Sequence, residues 1–293
     1  MANPGDTSYT AGALVEQIMP EAVIAYSDAG VTSRLVMNEW RPKADTISVT
    51  KWNLGTNTIG SADVGSHTEG AETSASYLNS DKATITLAGY TVRADLPMEA
   101  ELSNSDNPGG QIPAILGNGL RAKQDLLLNT LFDGFTDNAI NASTAALTVD
   151  HLAEAFGLID ASSDGTMPLT GVFYPTQLNG TYGLSNDLLS GTNFTATDVQ
   201  NKALVSARYG EVAGIDIYRS REFAKADSAI KAGVFRSDAL ALGMAGFSKE
   251  APFQITPEYN GIKSQWEFTA FMFGGVVEVV DQYGCEIWTR YTA

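Results

Sequence analysis

The stretch that most limits how this chain can fold is LGTNTIGSADVGSHTEGAETSAS, residues 54–76. It is polar, scattered with glycine, and has too few large apolar side chains to build a core of its own. Strand-like sequence flanks it on both sides. Before it, Ile47 and Val49 alternate with Thr46, Ser48 and Thr50, the period of a half-exposed strand. After it, Ala83, Ile85 and Leu87 alternate with Thr84 and Thr86, and Tyr90, Val92, Ala94 and Leu96 resume the pattern beyond Gly89, which allows a bend. A connection this long is unusual inside a compact domain. The segment is therefore either mobile or braced by a partner.

Helical spacing is strongest after residue 107. Asp106 or Asn107 can cap a helix there and Pro108 suits its first turn. Ile112, Leu116, Leu120, Leu127 and Leu131 form an apolar stripe, supported by Ile115 and Phe135, and Asp133-Gly134 is the expected stop. About 25 residues at ~1.5 Å each would span nearly 40 Å. Gly117 and Gly119 weaken the middle by ~1 kcal/mol each and permit close approach of another backbone. An earlier helical pattern, Leu14, Ile18, Val23 and Tyr26, is interrupted at Pro20. Residues 136–148 read as a polar link. A further helix follows in TVDHLAEAFGLIDAS, capped by Thr148 or Asp150, with Leu152, Ala155, Phe156 and Ile159 as its apolar face. LTGVFYPTQLNGTYGL reads as a strand from Gly171 to Tyr174, then Pro175 and a short helix. GEVAGIDIYRSREF reads as a strand reached through a turn, and KAGVFRSDALALGMA as strand then helix. Near the C-terminus, Trp266, Phe268, Val277 and Val279 keep strand alternation.

Charge narrows the functional classes. Lys+Arg number 18 against 34 Asp+Glu, a net charge of −16. Such a surface repels phosphate, which disfavours general nucleic-acid binding and anionic membranes. No apolar run approaches the ~20 residues of a membrane span. MANPGDTSYTAG lacks the features of a signal peptide, and Cys285, the sole cysteine, can form no intrachain disulfide.

Chemistry-bearing motifs are incomplete. GNGLRA, Gly117 to Ala122, matches a dinucleotide fingerprint but lies inside the helical stripe rather than between strand and helix. In DASSDGTMPLTG, Asp160, Ser162, Asp164 and Gly165 hold calcium-loop positions, but the closing glutamate is replaced by Gly171. HTEG at His67 resembles part of a zinc-deaminase motif that needs paired cysteines. His151 reads as a helix-boundary residue. Glu99 and Glu101 would share a face on a strand, so a carboxylate-dependent hydrolase is one alternative. Arg219 and Arg221 flank Ser220 and suit an intersubunit ion pair or a solvated strand end. No catalytic, cofactor or metal residue is assigned.

Taken in order, several segments resemble one family. HTEGAETSASYLNSDKATITLAGYTVRADLPMEAEL resembles a glutamate-glycine turn followed by two strands and an acidic helix start. NPGGQIPAILGNGLRAKQDLLLNTLFDG resembles a long spine helix ending at glycine. LTGVFYPTQLNGTYGLSNDL, GEVAGIDIYRSREF, KAGVFRSDALAL and the C-terminal strands are similar to successive parts of the same fold. This is the Hong Kong 97-type fold of tailed-bacteriophage major capsid proteins, and the likeness covers roughly residues 40 to 290. It implies an α+β chain with an N-terminal arm over 1–44 and an extended hairpin loop over 45–80. It also implies a peripheral domain over 81–144 with the spine helix at 107–134, an axial domain over 145–236, and a return segment with peripheral-domain strands over 237–293.

The implied function is a non-enzymatic shell of hexamers and pentamers around double-stranded DNA, bound without sequence specificity. The implied location is the virion, assembled in the host bacterial cytoplasm. Only ~40 residues precede the first expected strand, so a separate scaffolding protein is expected, with a portal and a decoration protein as further partners. Some relatives crosslink subunits through a lysine and an asparagine, and Lys51 and Asn53 lie on the implied loop. An encapsulin-like compartment around protein cargo is the alternative within the same fold.

Overall fold

The computed structural model describes Ala22 and residues 30–54, 78–103, 111–162, 168–179, 183–189, 210–225, 228–246 and 252–291. The chain enters through a 3-10 turn at Thr32–Arg34 and then strand β1 (Met37–Arg41). β2 (Thr46–Leu54) and β3 (Leu78–Thr86) pair antiparallel from Thr46 opposite Thr86 to Leu54 opposite Leu78, so the expected hairpin is present. Ile47, Val49, Ala83, Ile85 and Leu87 are buried along one face, and Thr46, Ser48, Thr84 and Thr86 are exposed on the other. The connection over 55–77 lies outside the described residues, as do the helical pattern around Pro20 and the expected caps at Asp106 and Asn107.

β4 (Ala88–Pro97) follows β3 after a break at Leu87 and runs into a short helix, α1 (Met98–Ser103). Gly89 serves space rather than a bend: a Cβ there would meet the Phe271 ring at 2.9 Å. The spine helix α2 (Ile112–Thr130) continues as a 3-10 turn, Leu131–Gly134, and stops at the expected glycine. β5 (Ala139–Ala142) occupies part of the expected polar link. Next come α3 (Val149–Ser162), β6 (Leu169–Phe173), α4 (Pro175–Asn179) and α5 (Leu184–Leu189). β7 (Glu211–Val212) and β8 (Ile215–Arg219) form a tight hairpin. Its two turn residues, Ala213 and Gly214, have φ of 52° and 80°, as a two-residue primed turn requires. β9 (Ala229–Phe235), β10 (Leu240–Ala245), β11 (Phe253–Asn260), β12 (Gln265–Glu278) and β13 (Gly284–Arg290) complete the chain.

Pairing sorts these strands into two large sheets. One is five-stranded, in the order β1-β10-β12-β11 with β4 also on β12; the other is six-stranded, in the order β5-β13-β9-β6-β8-β7. The span 237–293 is thus divided, with β10 to β12 in the first sheet and β13 in the second. The expected helix at Leu240–Ala245 is a strand, β10, between parallel β1 and antiparallel β12. All six of its residues are buried. Burial on both faces removes the period-2 signal, and Leu, Ala and Met carry helix propensity that the tertiary setting overrides.

The hairpin base crosses the first sheet at a cleared position. Gly243 and Gly275 are cross-strand partners. A Cβ on Gly243 would lie 2.9 Å from Ile85, and one on Gly275 would collide with the Thr86 carbonyl.

α2 begins on the first sheet, where Ile112, Leu116 and Leu120 join Leu96, Ile255, Phe268 and Met272. It ends in a second core, where Leu128, Phe132 and Phe135 join Phe223 and Phe235. The buried face therefore continues through Leu128 and Phe132, whereas Leu127 and Leu131 are only half-buried and Ile115 is 59% exposed. The stripe shifts because the two cores meet the helix from different sides. α3, α4 and α5 cover the six-stranded sheet, with Leu152, Ala155, Ile159, Leu178 and Leu188 against Ile215, Val234 and Ile287. Phe156 is exposed beyond that face, its ring lying against Gly214.

Leu120→Ala and Leu128→Ala should each destabilise the chain by ~2–5 kcal/mol, and Ile115→Ala by under ~0.5 kcal/mol. Chemical denaturation of the three variants checks the order; equal losses would remove α2 from its assigned cores.

Candidate functional site

The middle of α2 carries a buried polar seam on a helix read from its leucines. Arg121, Gln124, Asp125 and Asn129 are all buried. The Asp125 carboxylate accepts from the Val31 N–H at 2.7 Å, the Ser33 N–H at 3.1 Å and the Ser33 hydroxyl at 2.8 Å. One turn on, Asn129 Oδ1 accepts from the Thr32 hydroxyl at 2.7 Å, and its Nδ2 donates to Ser220 Oγ at 3.3 Å and to the Glu222 carbonyl. Gln124 Nε2 donates to the sulfurs of Met244 and Met272 at 3.2 and 3.0 Å. Gly30 is flush with Arg121, since any Cβ there would collide with the guanidinium stem. Buried polar groups need partners; Gln124, Asp125 and Asn129 find them in segments far away in sequence, while Arg121 Nη1 donates to Gln124 Oε1 on the same helix at 3.3 Å. The signal was present as Arg121, Asp125 and Asn129 at i, i+4, i+8, a polar row inside an apolar helix.

Two charged clusters flank the end of α2. Lys231 Nζ contacts the Asp133 carboxylate and Glu286 at 3.0 Å, and stands 5.1 Å over the Trp288 ring. On another side, Glu278 lies against Gly134, where a Cβ would come 2.6 Å from its carboxylate oxygen. Burial, then the charge of Asp281, pushes Glu278 up to about 7, with Lys51 opposing and Asp137 adding to the rise. Burial likewise pushes the Cys285 thiol up to about 12, which leaves it unreactive.

The outer surface carries apolar features. Ile262 is 98% exposed at the β11–β12 turn and Phe271 is 42% exposed. Beside Phe271 is a groove of ≈ 390 Å³ lined mainly by Pro42, Ala44, Ala245, Pro252 and Phe273.

The motifs singled out from sequence do not converge. Glu99 and Glu101 lie on helix α1, not a strand. Residues two apart on a helix are turned by about 200°, so the shared face of the hydrolase reading is absent. Gly117 to Ala122 lies within α2, which rules out a strand-turn-helix phosphate loop. At Gly119 a Cβ would touch, among the described residues, the Val92 side chain alone, at 3.9 Å, and none of their backbone. Asp160 is exposed on α3 and Gly171 is inside β6, while Asp164, Gly165 and His67 lie outside the described residues. His151 completes a reciprocal cap: its N–H donates to Thr148 Oγ1 at 3.4 Å and its Nδ1 accepts from the Thr148 N–H at 3.3 Å. Arg219 and Arg221 are exposed around buried Ser220. Lys51 and Asn53 both lie on β2. Among the described residues, no group of three or more His, Cys, Asp or Glu is placed to hold a metal ion, and no helix is long and apolar enough to cross a membrane.

No protein-family model matches the sequence, and no curated protein matches it significantly. Solved structures do match. The capsid of the cyanophage P-SCSP1u is 14% identical with a TM-score of 0.61, over 90% of this chain and 89% of that one. The capsid of Ralstonia phage GP4 is 11% identical with a TM-score of 0.63, over 88% of each chain. A virus-like particle from Pyrococcus furiosus is 9% identical with a TM-score of 0.58, over 93% of this chain and 98% of that one. The chain has the Hong Kong 97-type capsid fold.

Two outcomes follow from the site. Asp125→Ala strands three donors, two of them buried, and should cost on the order of 3 kcal/mol, with Asp125→Asn milder; a loss under ~0.5 kcal/mol would show that the seam is open to water. Glu278 binds its proton more tightly folded than unfolded, so its stabilising contribution is full below its ordinary value of 4.5 and is lost as pH rises through about 7. Urea midpoints should therefore fall from about pH 5 to about pH 8 in the wild type more than in Glu278→Gln. A pH-independent difference between the two would contradict the burial of this carboxylate.

Proposed function

We propose that this chain is the major capsid protein of a tailed bacteriophage, which assembles with itself into hexamers and pentamers of an icosahedral shell around double-stranded DNA. The observation that carries this reading is the likeness of nearly the whole chain to phage capsid structures. On this reading the five-stranded sheet with α2 is the peripheral part and the six-stranded sheet with α3 to α5 the axial part. The β2–β3 hairpin is a two-stranded ribbon, whose free backbone edges a neighbouring subunit would cover. The role is structural rather than enzymatic, and the location is the virion, after assembly in the host cytoplasm. A separate scaffolding protein, a portal and a decoration protein would be its partners, and DNA would be enclosed without sequence reading. The net charge of −16 suits a wall that does not hold its genome tightly.

The other reading of the same fold, a compartment enclosing protein cargo, is not favoured by these likenesses. Purified full-length chain should form closed particles in negative-stain microscopy, and particles from infected cells should absorb as nucleic acid rather than as protein cargo. A monodisperse monomer at all concentrations, with no particles in infected cells either, would contradict both shells. Replacing residues 55–65 with a short Gly-Ser turn should leave circular dichroism and thermal unfolding of the subunit unchanged but abolish closed particles. Normal shells from that variant would remove the hairpin from subunit contacts.

A further inference from the structure

We propose that the β11–β12 hairpin tip of one copy, led by Ile262, seats in the apolar groove beside Phe271 of a second copy, making a head-to-tail contact between subunits. The inference rests on the shell reading and names one of its contacts.

The tip is a preformed apolar knob. Ile262 is 98% exposed. The turn that presents it is fixed from below: Asn260 Oδ1 accepts from the N–H groups of Ile262 and Lys263 at 3.1 and 3.3 Å. Asn260 Nδ2 donates in turn to Glu267 at 3.0 Å, and Glu267 also takes Gln265 at 2.9 Å and Arg93 at 2.6 Å. Ser264 holds a φ of 49° and its carbonyl accepts from the Met98 N–H at 3.0 Å. A β-branched side chain presented to water on a hydrogen-bonded turn gains nothing for the single subunit. It offers a binding partner an anchor whose backbone is already ordered.

The groove has the complementary chemistry. Its floor includes the stacked rings of Phe271 and Phe273, with centroids 6.4 Å apart and planes 15° apart. Pro42, Ala44 and Ala245 add apolar wall, and Lys43 and Asp45 are its charged members. At ≈ 390 Å³ it has room for the isoleucine and its neighbours. Two copies, each at −16, repel at long range, so contacts between them are favoured where apolar surface meets a cation and a carboxylate. Lys263 beside the knob and Asp45 in the groove supply that pair.

Knob and groove lie at the start and the middle of one strand. From Gln265 to Phe271 or Phe273 along β12 is about 20–26 Å, so no copy can fill its own groove. A knob and a recess at separate places on one subunit give a heterologous contact, the kind that closes rings or extends a lattice.

The experiment follows assembly of the full chain by light scattering and microscopy, with thermal unfolding of the unassembled subunit alongside. Ile262→Asp should leave the unfolding temperature unchanged and raise the concentration needed for assembly about tenfold or more. Lys263→Asp and Asp45→Lys should each weaken assembly, and the two together should restore it. Ile262→Asp particles at the wild-type threshold overturn this contact and leave the shell reading standing. Loss of assembly in Ile262→Asp without restoration by the charge exchange also overturns it, because the tip then meets a different surface or a different protein. A wild-type chain that remains monomeric when purified and forms no particles in infected cells overturns both readings.

Discussion

Asp125 and Asn129, one turn apart on α2, join pieces of chain that are 91 to 97 residues away from them in sequence. The need is mutual. Asp125 is 2% exposed, and a carboxylate taken out of water must be surrounded by donors. The 3-10 turn at Thr32–Arg34 has backbone N–H groups at its start with no partner inside the turn, and its Val31 and Ser33 amides point into that carboxylate. Asn129 ties the same turn to the segment after β8. The seam therefore sets where the chain enters β1, and the Met37 N–H then reaches the Ser237 carbonyl at 3.1 Å, the start of the parallel pairing with β10.

From that seam the two sheets are held as one body. The links β9–β10 and β12–β13 run side by side, with the Val279 N–H donating to the Ala239 carbonyl at 2.7 Å and the Arg236 N–H to the Tyr283 carbonyl at 3.0 Å. The Arg236 guanidinium lies 4.1 Å over the Tyr283 ring. Phe132 contacts Phe135, Phe223 and Phe235 with centroids 5.4 to 6.3 Å apart, filling the space where α2 passes between sheets. Among the described residues, the hairpin is anchored at its base, over Gly243 and Gly275. A rigid body with projecting ribbons is what the proposed shell role asks of a subunit: little to reorganise on association, and edges left for neighbours.

Much of this was legible before the structure because one-sided burial writes its period into sequence. Ile47 and Val49 against Ala83 and Ile85 gave the hairpin, and Leu116 and Leu120 with Gly134 gave the spine helix and its end. The failures have physical causes. Leu240–Ala245 is buried on both faces, so no alternation marks it as a strand. β1 and β5 are short pieces at sheet edges, completed by pairing with distant partners. The shift from Leu127 to Leu128 depends on where the second core lies, which no local period encodes. Strand spacing ends at Pro97, where the chain turns helical, so the face that Glu99 and Glu101 would share on a strand does not form. The polar row on α2 is visible in sequence, but its partners, Val31 to Ser33, have no pattern that announces them.

Amide hydrogen exchange on the unassembled subunit tests the seam most directly. If Asp125 holds the incoming chain, the amides of Val31 and Ser33 should be protected to a degree approaching those in the middle of α2, and Asp125→Ala should release both while the amides of β13 keep their protection. Val31 and Ser33 amides that exchange as fast as an open loop in the wild type would contradict it.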